Sequence, residues 1–231
     1  MRVLVFDTET TGLPETKILN PDTVNLWPHI VQFSYVVYDT SLNNIEAYDS
    51  IVKVNENVII PDESTKIHGI TNKIAKRKGE NLTLILSGFF HHLLNADVLV
   101  GHNISFDINM IKIELLRLIY SVNVPENEKS IYKYNLHLLT NFKNICCTCS
   151  SKESIELCNI TVLNRSGKPY LKYPKLFELH DKLFQCVPNN LHNSLIDILV
   201  TLRCFMKLKY SMDLNKDCSK FKKLVKINKV F

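Results

Sequence analysis

The apolar run Val3-Leu4-Val5-Phe6 stops abruptly at Asp7-Thr8-Glu9. A run this short and this rich in branched residues predicts a strand over residues 2 to 6 that is buried on both faces, and such a strand lies inside a sheet. Asp7 and Glu9 are separated by one residue, so in extended backbone both side chains leave the same face of the strand end. Acids in this spacing are common on exposed strands. At the tip of a buried strand they are costly unless paired or bound to a cation, and this position makes them candidates for chemistry.

The periodicity of the following residues builds the sheet outward. Residues 30 to 38 and 46 to 54 are rich in branched and aromatic residues, and the polar stretch Asp39-Thr40-Ser41-Leu42-Asn43-Asn44 between them predicts a hairpin. Helical spacing of Leu82, Ile85, Leu86, Phe89 and Leu93 predicts a helix over 81 to 95, followed by a short strand over 97 to 100. Ile108, Ile111, Leu115, Leu118 and Ile119 predict a long helix over 104 to 120. Residues 121 to 143 read as a polar surface loop before a Cys-rich strand, with a short helix near 152 to 159. Pro174 opens a helix over 174 to 184. A last helix over 192 to 210 presents Leu195, Ile198, Leu199, Leu202, Phe205 and Met206 to the core. The order β-β-β-α-β-α-β-α predicts one mixed α/β domain: three antiparallel and two parallel strands in a five-stranded sheet flanked by helices.

Composition bounds the function less tightly. The 231 residues are 45% hydrophobic and 22% charged, ample for one core over residues 1–207, with a Lys-rich tail over 208–231. A net charge of +5 tilts towards a polyanionic partner. Lys207, Lys209, Lys220, Lys222, Lys223 and Lys226 are candidates for phosphate contacts, although a solvated tail is the preferred reading of them. The start is too short in apolar residues for a signal peptide, and no stretch reaches the roughly 20 needed for a membrane helix. The expectation is a soluble, intracellular protein without membrane contact, whose seven cysteines stay reduced. Cys146, Cys147, Cys149 and Cys158 cluster, but none forms a C-x₂-C pair, and they read as buried thiols rather than a zinc site.

Three further ionisable residues are candidates. Asp107 falls in the first turn of the 104 to 120 helix, where an acid commonly complements the helix dipole. If the strand before it runs parallel to the first, Asp107 converges on Asp7 at the carboxyl ends of the strands. His192 and Asp197 are five residues apart, about 140° out of register on one helix. They meet only if His192 lies in a loop entering that helix, which the spacing leaves open.

The blocks Phe-Asp-Thr-Glu-Thr-Thr-Gly-Leu-Pro (6 to 14), Gly-His-Asn-x-x-Phe-Asp (101 to 107) and His-Asn-x-Leu-x-Asp (192 to 197) resemble the three motifs of the DnaQ-like, DEDDh 3′-5′ exonucleases. The similarity extends to Lys66-Ile67-His68-Gly69-Ile70-Thr71, to Trp27-Pro28-His29-Ile30-Val31-Gln32, and to the stretch from Pro174 to Phe184. It runs from residue 1 to about 205. Ser194 stands where that family often has Ala, and Cys149 follows Cys147-Thr148 where Met is common.

The resemblance implies a ribonuclease-H-like fold and a two-metal hydrolysis of phosphodiesters using Mg²⁺ or Mn²⁺. It implies that Asp7, Glu9, Asp107 and Asp197 hold the two ions and that His192 is the general base. It further implies that Thr10, Thr11, Leu13, Ile67, His68, Asn103 and Phe106 receive the 3′-nucleotide, although Phe106 is equally explained by core packing. The expected product is a nucleoside 5′-monophosphate. The expected partner is a nucleic acid with a free 3′ end, with a polymerase or a replication or repair complex as a further partner. DNA is the first reading of the substrate. An RNA-trimming enzyme would need the same five residues, and a non-catalytic nucleic-acid-binding or polymerase-tethering module would retain the fold while losing one of them. All five are intact.

Overall fold

The computed structural model describes residues 1–149 and 151–231. In chain order its elements are β1 (Arg2–Thr10), β2 (Ile30–Asp39), β3 (Asn44–Ile51), α1 (Asp62–His68), α2 (Asn72–Lys78), α3 (Leu82–Leu93), β4 (Val98–Gly101), α4 (Ile104–Tyr120), α5 (Glu126–Asn141), β5 (Ile145–Cys147), α6 (Lys152–Cys158), β6 (Thr161–Leu163), β7 (Pro169–Leu171), α7 (Leu176–Phe184), α8 (Ser194–Tyr210), α9 (Leu214–Asp217) and α10 (Ser219–Ile227). A short 3₁₀ turn, Pro21–Leu26, precedes β2.

The main sheet has the order β3-β2-β1-β4-β5. β1 pairs antiparallel with β2, and β2 with β3, while β4 and β5 join in parallel on the other side. This is the mixed sheet of three antiparallel and two parallel strands that the residue pattern predicts. Alternation along β1 explains why it sits at the centre. Leu4 and Phe6 enter a core shared with α3 and α4, whereas Val3 and Val5 enter a second core shared with α8 and α10. In the first core the Phe89 ring centroid lies 5.1 Å from that of Phe6 and 5.2 Å from that of Phe33. Burial of each such ring contributes about 1.5–3 kcal/mol.

Several expectations are corrected. β1 does not end at Phe6: β2 keeps pairing with it up to an irregularity between Glu9 and Thr10. Residues 121 to 143 are not an irregular loop, because Pro125 starts α5, and Tyr132, Asn135 and Leu139 bury a narrow seam of it. The Lys-rich stretch is not a solvated tail either. Leu214, Cys218, Phe221, Val225 and Val230 are all buried in the second core, and the lysines of α10 occupy its opposite face. The clustered cysteines divide between the faces of the sheet, Cys146 and Cys158 packing on the second core and Cys147 on the first. Cys149 is buried, with its sulfur 3.4 Å from that of Cys147. Among the described residues no helix is long and apolar enough to cross a membrane.

Candidate active site

The site forms where β1 outruns its parallel neighbour. β4 pairs with β1 only from Val3 to Val5 and ends at Gly101, so Asp7 and Glu9 project past the carboxyl end of β4. In the pleat they continue the row of Val3 and Val5, on the face covered by α8, opposite Ser34 and Gln32 of β2. The same face is thus apolar at one end and carboxylate-bearing at the other.

Asp107 is delivered by the tight turn from β4 into α4. A side chain at Gly101 would come within 2.8 Å of Ile104, and Asn103 takes a left-handed conformation (φ 60°) to start the helix. Asp107 then lies in the first turn, 3% exposed, where its Oδ1 accepts from the Thr8 amide at 3.0 Å and the Thr8 hydroxyl at 2.7 Å. Thr8, the residue between the two acids of β1, therefore fixes the third acid from behind.

α8 supplies the fourth carboxylate. Asn193 caps the helix, accepting from the Leu195 amide, and the Ser194 hydroxyl lies 2.5 Å from that of Ser34, which also donates to Asp49. This buried bond pins the start of α8 against β2 and sets Asp197 beside Asp7 and Glu9. His192 lies outside the helix in a left-handed conformation (φ 68°), and its backbone N–H donates to Asp197 Oδ2 at 3.2 Å. The alternative that the spacing left open is the one adopted: a loop residue and a helix residue meet at the helix entrance.

One oxygen from each of Asp7, Glu9 and Asp197 can lie within 4.8 Å of the other two. Burial, followed by the charges of Asp107, Asp197 and Glu9, holds the Asp7 carboxyl well above the usual carboxylate range. Glu9 is pushed up to about 8 by burial and then by Asp197 and Asp107. Burial also raises Asp107 to about 7, against the two bonds from Thr8, and Asp197 to about 7, against the bond from His192. Asp197 Oδ1 is buried without a hydrogen-bond partner. Crowded acids and an orphaned carboxylate oxygen are what a divalent cation would relieve, so the residues fit an oxygen-ligated metal site.

The residues expected around the 3′-nucleotide are more dispersed. Leu13 and Ile67 are exposed. Thr10 donates its hydroxyl to Gly12 O, Thr11 accepts from the His29 amide, and His68 Nδ1 accepts from the Ile70 amide. Phe106 packs partly on the first core. A cavity of about 450 Å³ opens beside the acids, where Asp7, Asn103, His192 and Asp197 meet His102, Tyr173 and Phe177. Of the seven nucleotide candidates only Asn103 lines it. His102 lies inside the Gly-His-Asn block but was not singled out by residue type; burial lowers it to about 4, so it is neutral, and its Nδ1 lies 2.9 Å from the Thr148 hydroxyl. Tyr173 and Phe177 were missed as well, and their signal was the alternation of aromatic and basic residues from 168 to 177.

Known proteins share the fold of this chain. Part of the chain is 31% identical over 121 residues to DNA polymerase III subunit epsilon of Buchnera aphidicola, covering 49% of this chain and 44% of that protein. E. coli exonuclease I in complex with a dA16 oligonucleotide shares the fold, with a TM-score of 0.57 at 16% identity over 91% of this chain and 41% of that one. Exonuclease I of Methylocaldum szegediense does so with a TM-score of 0.56 at 17% identity, over 93% and 42%. The chain spans less than half the length of each of these proteins. Residues 4–205 match the exonuclease family, with Asp7, Glu9, Asp107 and Asp197 inside the matched span, and the chain belongs to that family, a DnaQ-like exonuclease domain of ribonuclease-H-like fold.

Proposed function

We propose that this domain is a 3′→5′ exonuclease that releases nucleoside 5′-monophosphates from single-stranded or frayed DNA, using divalent cations held by Asp7, Glu9 and Asp197 with Asp107 in support. The observation that carries the reading is the convergence of three carboxylates from two elements within 4.8 Å, with the unpartnered Asp197 oxygen among them. The all-oxygen donor set favours Mg²⁺ or Mn²⁺. Such ions, when bound, supply positive charge to the phosphate and make a water acidic enough to lose its proton near neutral pH.

The chain's own residues have separate tasks in this reading. Thr8 holds Asp107 so that its charge adds to the negative field around Asp7. The Ser194 to Ser34 bond fixes the entrance of α8, and so the position of Asp197. His192, exposed on the loop at that entrance, accepts the proton, a task that carboxylates engaged by a cation perform poorly. Its backbone bond to Asp197 ties the base to the ligand set, while its side chain stays free to approach a substrate. DNA as the substrate, and a polymerase or replication complex as a partner, are supported by the name of the Buchnera relative.

The test is product analysis. DNA and RNA strands of the same sequence, labelled at the 3′ end, are incubated with Mg²⁺, with Mn²⁺ and with chelator. The expected outcome is labelled nucleoside 5′-monophosphate from DNA with either metal and none with chelator. Release of larger fragments, or equal release in chelator, rejects the reading; faster release from RNA moves the substrate assignment to RNA.

A further inference from the structure

Among the described residues β6 and β7 pair only with each other, Thr161 opposite Leu171 and Leu163 opposite Pro169, and do not join the main sheet. A two-stranded ribbon is marginal in water unless a face of it is covered. Here Thr161 and Leu163 of β6 and all three residues of β7 are exposed, Leu163 at 69%, Tyr170 at 51% and Leu171 at 40%. The chain then runs through Tyr173, 62% exposed, to Phe177, 38% exposed, and both of these rings line the cavity that holds Asp7, His192 and Asp197. Over residues 161 to 177 the charged side chains are Arg165, Lys168, Lys172 and Lys175, with no acid. Lys172 is engaged by Glu178 at 2.6 Å, and Lys175 lies 5.9 Å from the centre of the Phe177 ring.

We propose that this ribbon and the segment to Phe177 form a binding surface for the unpaired strand, continuous with the cut site and separate from the residues expected around the 3′-terminal nucleotide. Exposed aromatic rings interleaved with basic side chains stack on bases while the charges follow the phosphates, a combination that suits a single strand because only unpaired bases offer both faces. The charge selects the occupant: an apolar partner segment would leave Arg165, Lys168 and Lys175 without counter-charge, whereas a phosphate backbone neutralises them. The proposal rests on the exonuclease reading in taking nucleic acid as the occupant. It adds which part of the chain grips the strand, and it predicts that affinity for long strands is set away from the carboxylates.

The experiment compares wild type with a Tyr170→Ala/Tyr173→Ala double variant and a Lys168→Gln/Lys175→Gln double variant on a long single-stranded oligodeoxynucleotide with Mg²⁺, with thermal melts to check folding. Loss of the rings is expected to raise KM roughly 5-fold or more per ring, a larger change than any fall in kcat. Loss of the lysines is expected to flatten the dependence of log affinity on log salt by about 0.7 per lysine. Unchanged KM and salt slope in folded variants, or a loss confined to kcat, overturns the proposal. If the wild type cuts no strand, the exonuclease reading fails, and fluorescence anisotropy of the same labelled strand still decides the surface: weaker binding by the double variants supports it, and equal binding rejects it.

Discussion

At the scale of single residues, the account turns on acids that are held protonated too readily. Asp7 is raised well above its ordinary value, Glu9 to about 8, and Asp107 and Asp197 to about 7. Each binds its proton more tightly folded than unfolded, so its contribution to stability is complete below its unfolded value, near 4, and is lost as pH rises through 7 to 8. His102 and His180, both depressed to about 4 by burial, act in the opposite sense, but only up to pH about 6.5. Between pH 6.5 and 8.5 in chelator, the melting temperature is therefore expected to fall. Mg²⁺ should restore it, and Asp7→Asn should both flatten the fall and weaken the restoration. A wild-type melting temperature that rises over this window in chelator contradicts the account. His192 is distinguished by what its loss leaves intact: His192→Gln is expected to lower kcat about 10²–10⁴-fold while the Mg²⁺-induced rise in melting temperature persists. If that rise is lost with the histidine, His192 is a ligand and not the base.

At the scale of elements, the turn from β4 into α4 couples backbone geometry to the site. Gly101→Ala would press on Ile104, and shifting that residue moves the first turn and Asp107 with it. The expected cost is about 1–3 kcal/mol of stability, together with a fall in kcat larger than any rise in KM; chemical denaturation and steady-state kinetics measure the two. An unchanged kcat at lowered stability would show that Asp107 tolerates displacement. This turn was legible in the sequence, since Val98 to Val100 is apolar throughout and the 104 to 120 helix has a full periodic stripe. α5 was not, because its buried seam includes Asn135 and its apolar residues are too sparse for a stripe. The meeting of His192 with Asp197 was likewise hidden, as spacing alone cannot tell a helix residue from one in the loop before it. The ribbon of β6 and β7 has short strands with no buried side, so no alternation of apolar and polar residues marked them as strands.

At the scale of the whole molecule, the C-terminal residues close the second core, which the run of lysines concealed. Phe221 and Val225 are buried and four apart on α10, so the stripe was present but narrow. Arg203 of α8 ties this region down: its guanidinium donates twice to Asp213, at 2.8 and 3.1 Å, lies 3.1 Å from His180 Nε2, and sits against the Phe184 and Phe231 rings. Arg203→Leu leaves Asp213 without its partner charge and is expected to cost about 3–5 kcal/mol, read from denaturant midpoints. A loss below about 1 kcal/mol would return the C-terminal segment to the status of a dispensable tail. The same core holds α8 against β1, which is how residues far from the carboxylates position Asp197.

The most direct measurement follows a 5′-labelled single-stranded DNA over time at single-nucleotide resolution, with Mg²⁺, for wild type, Asp7→Asn and Asp197→Asn. The account predicts a ladder that shortens one nucleotide at a time from the 3′ end with wild type and an intact strand with both folded variants. Cutting at internal positions, or a ladder from either variant at the wild-type rate, would contradict it.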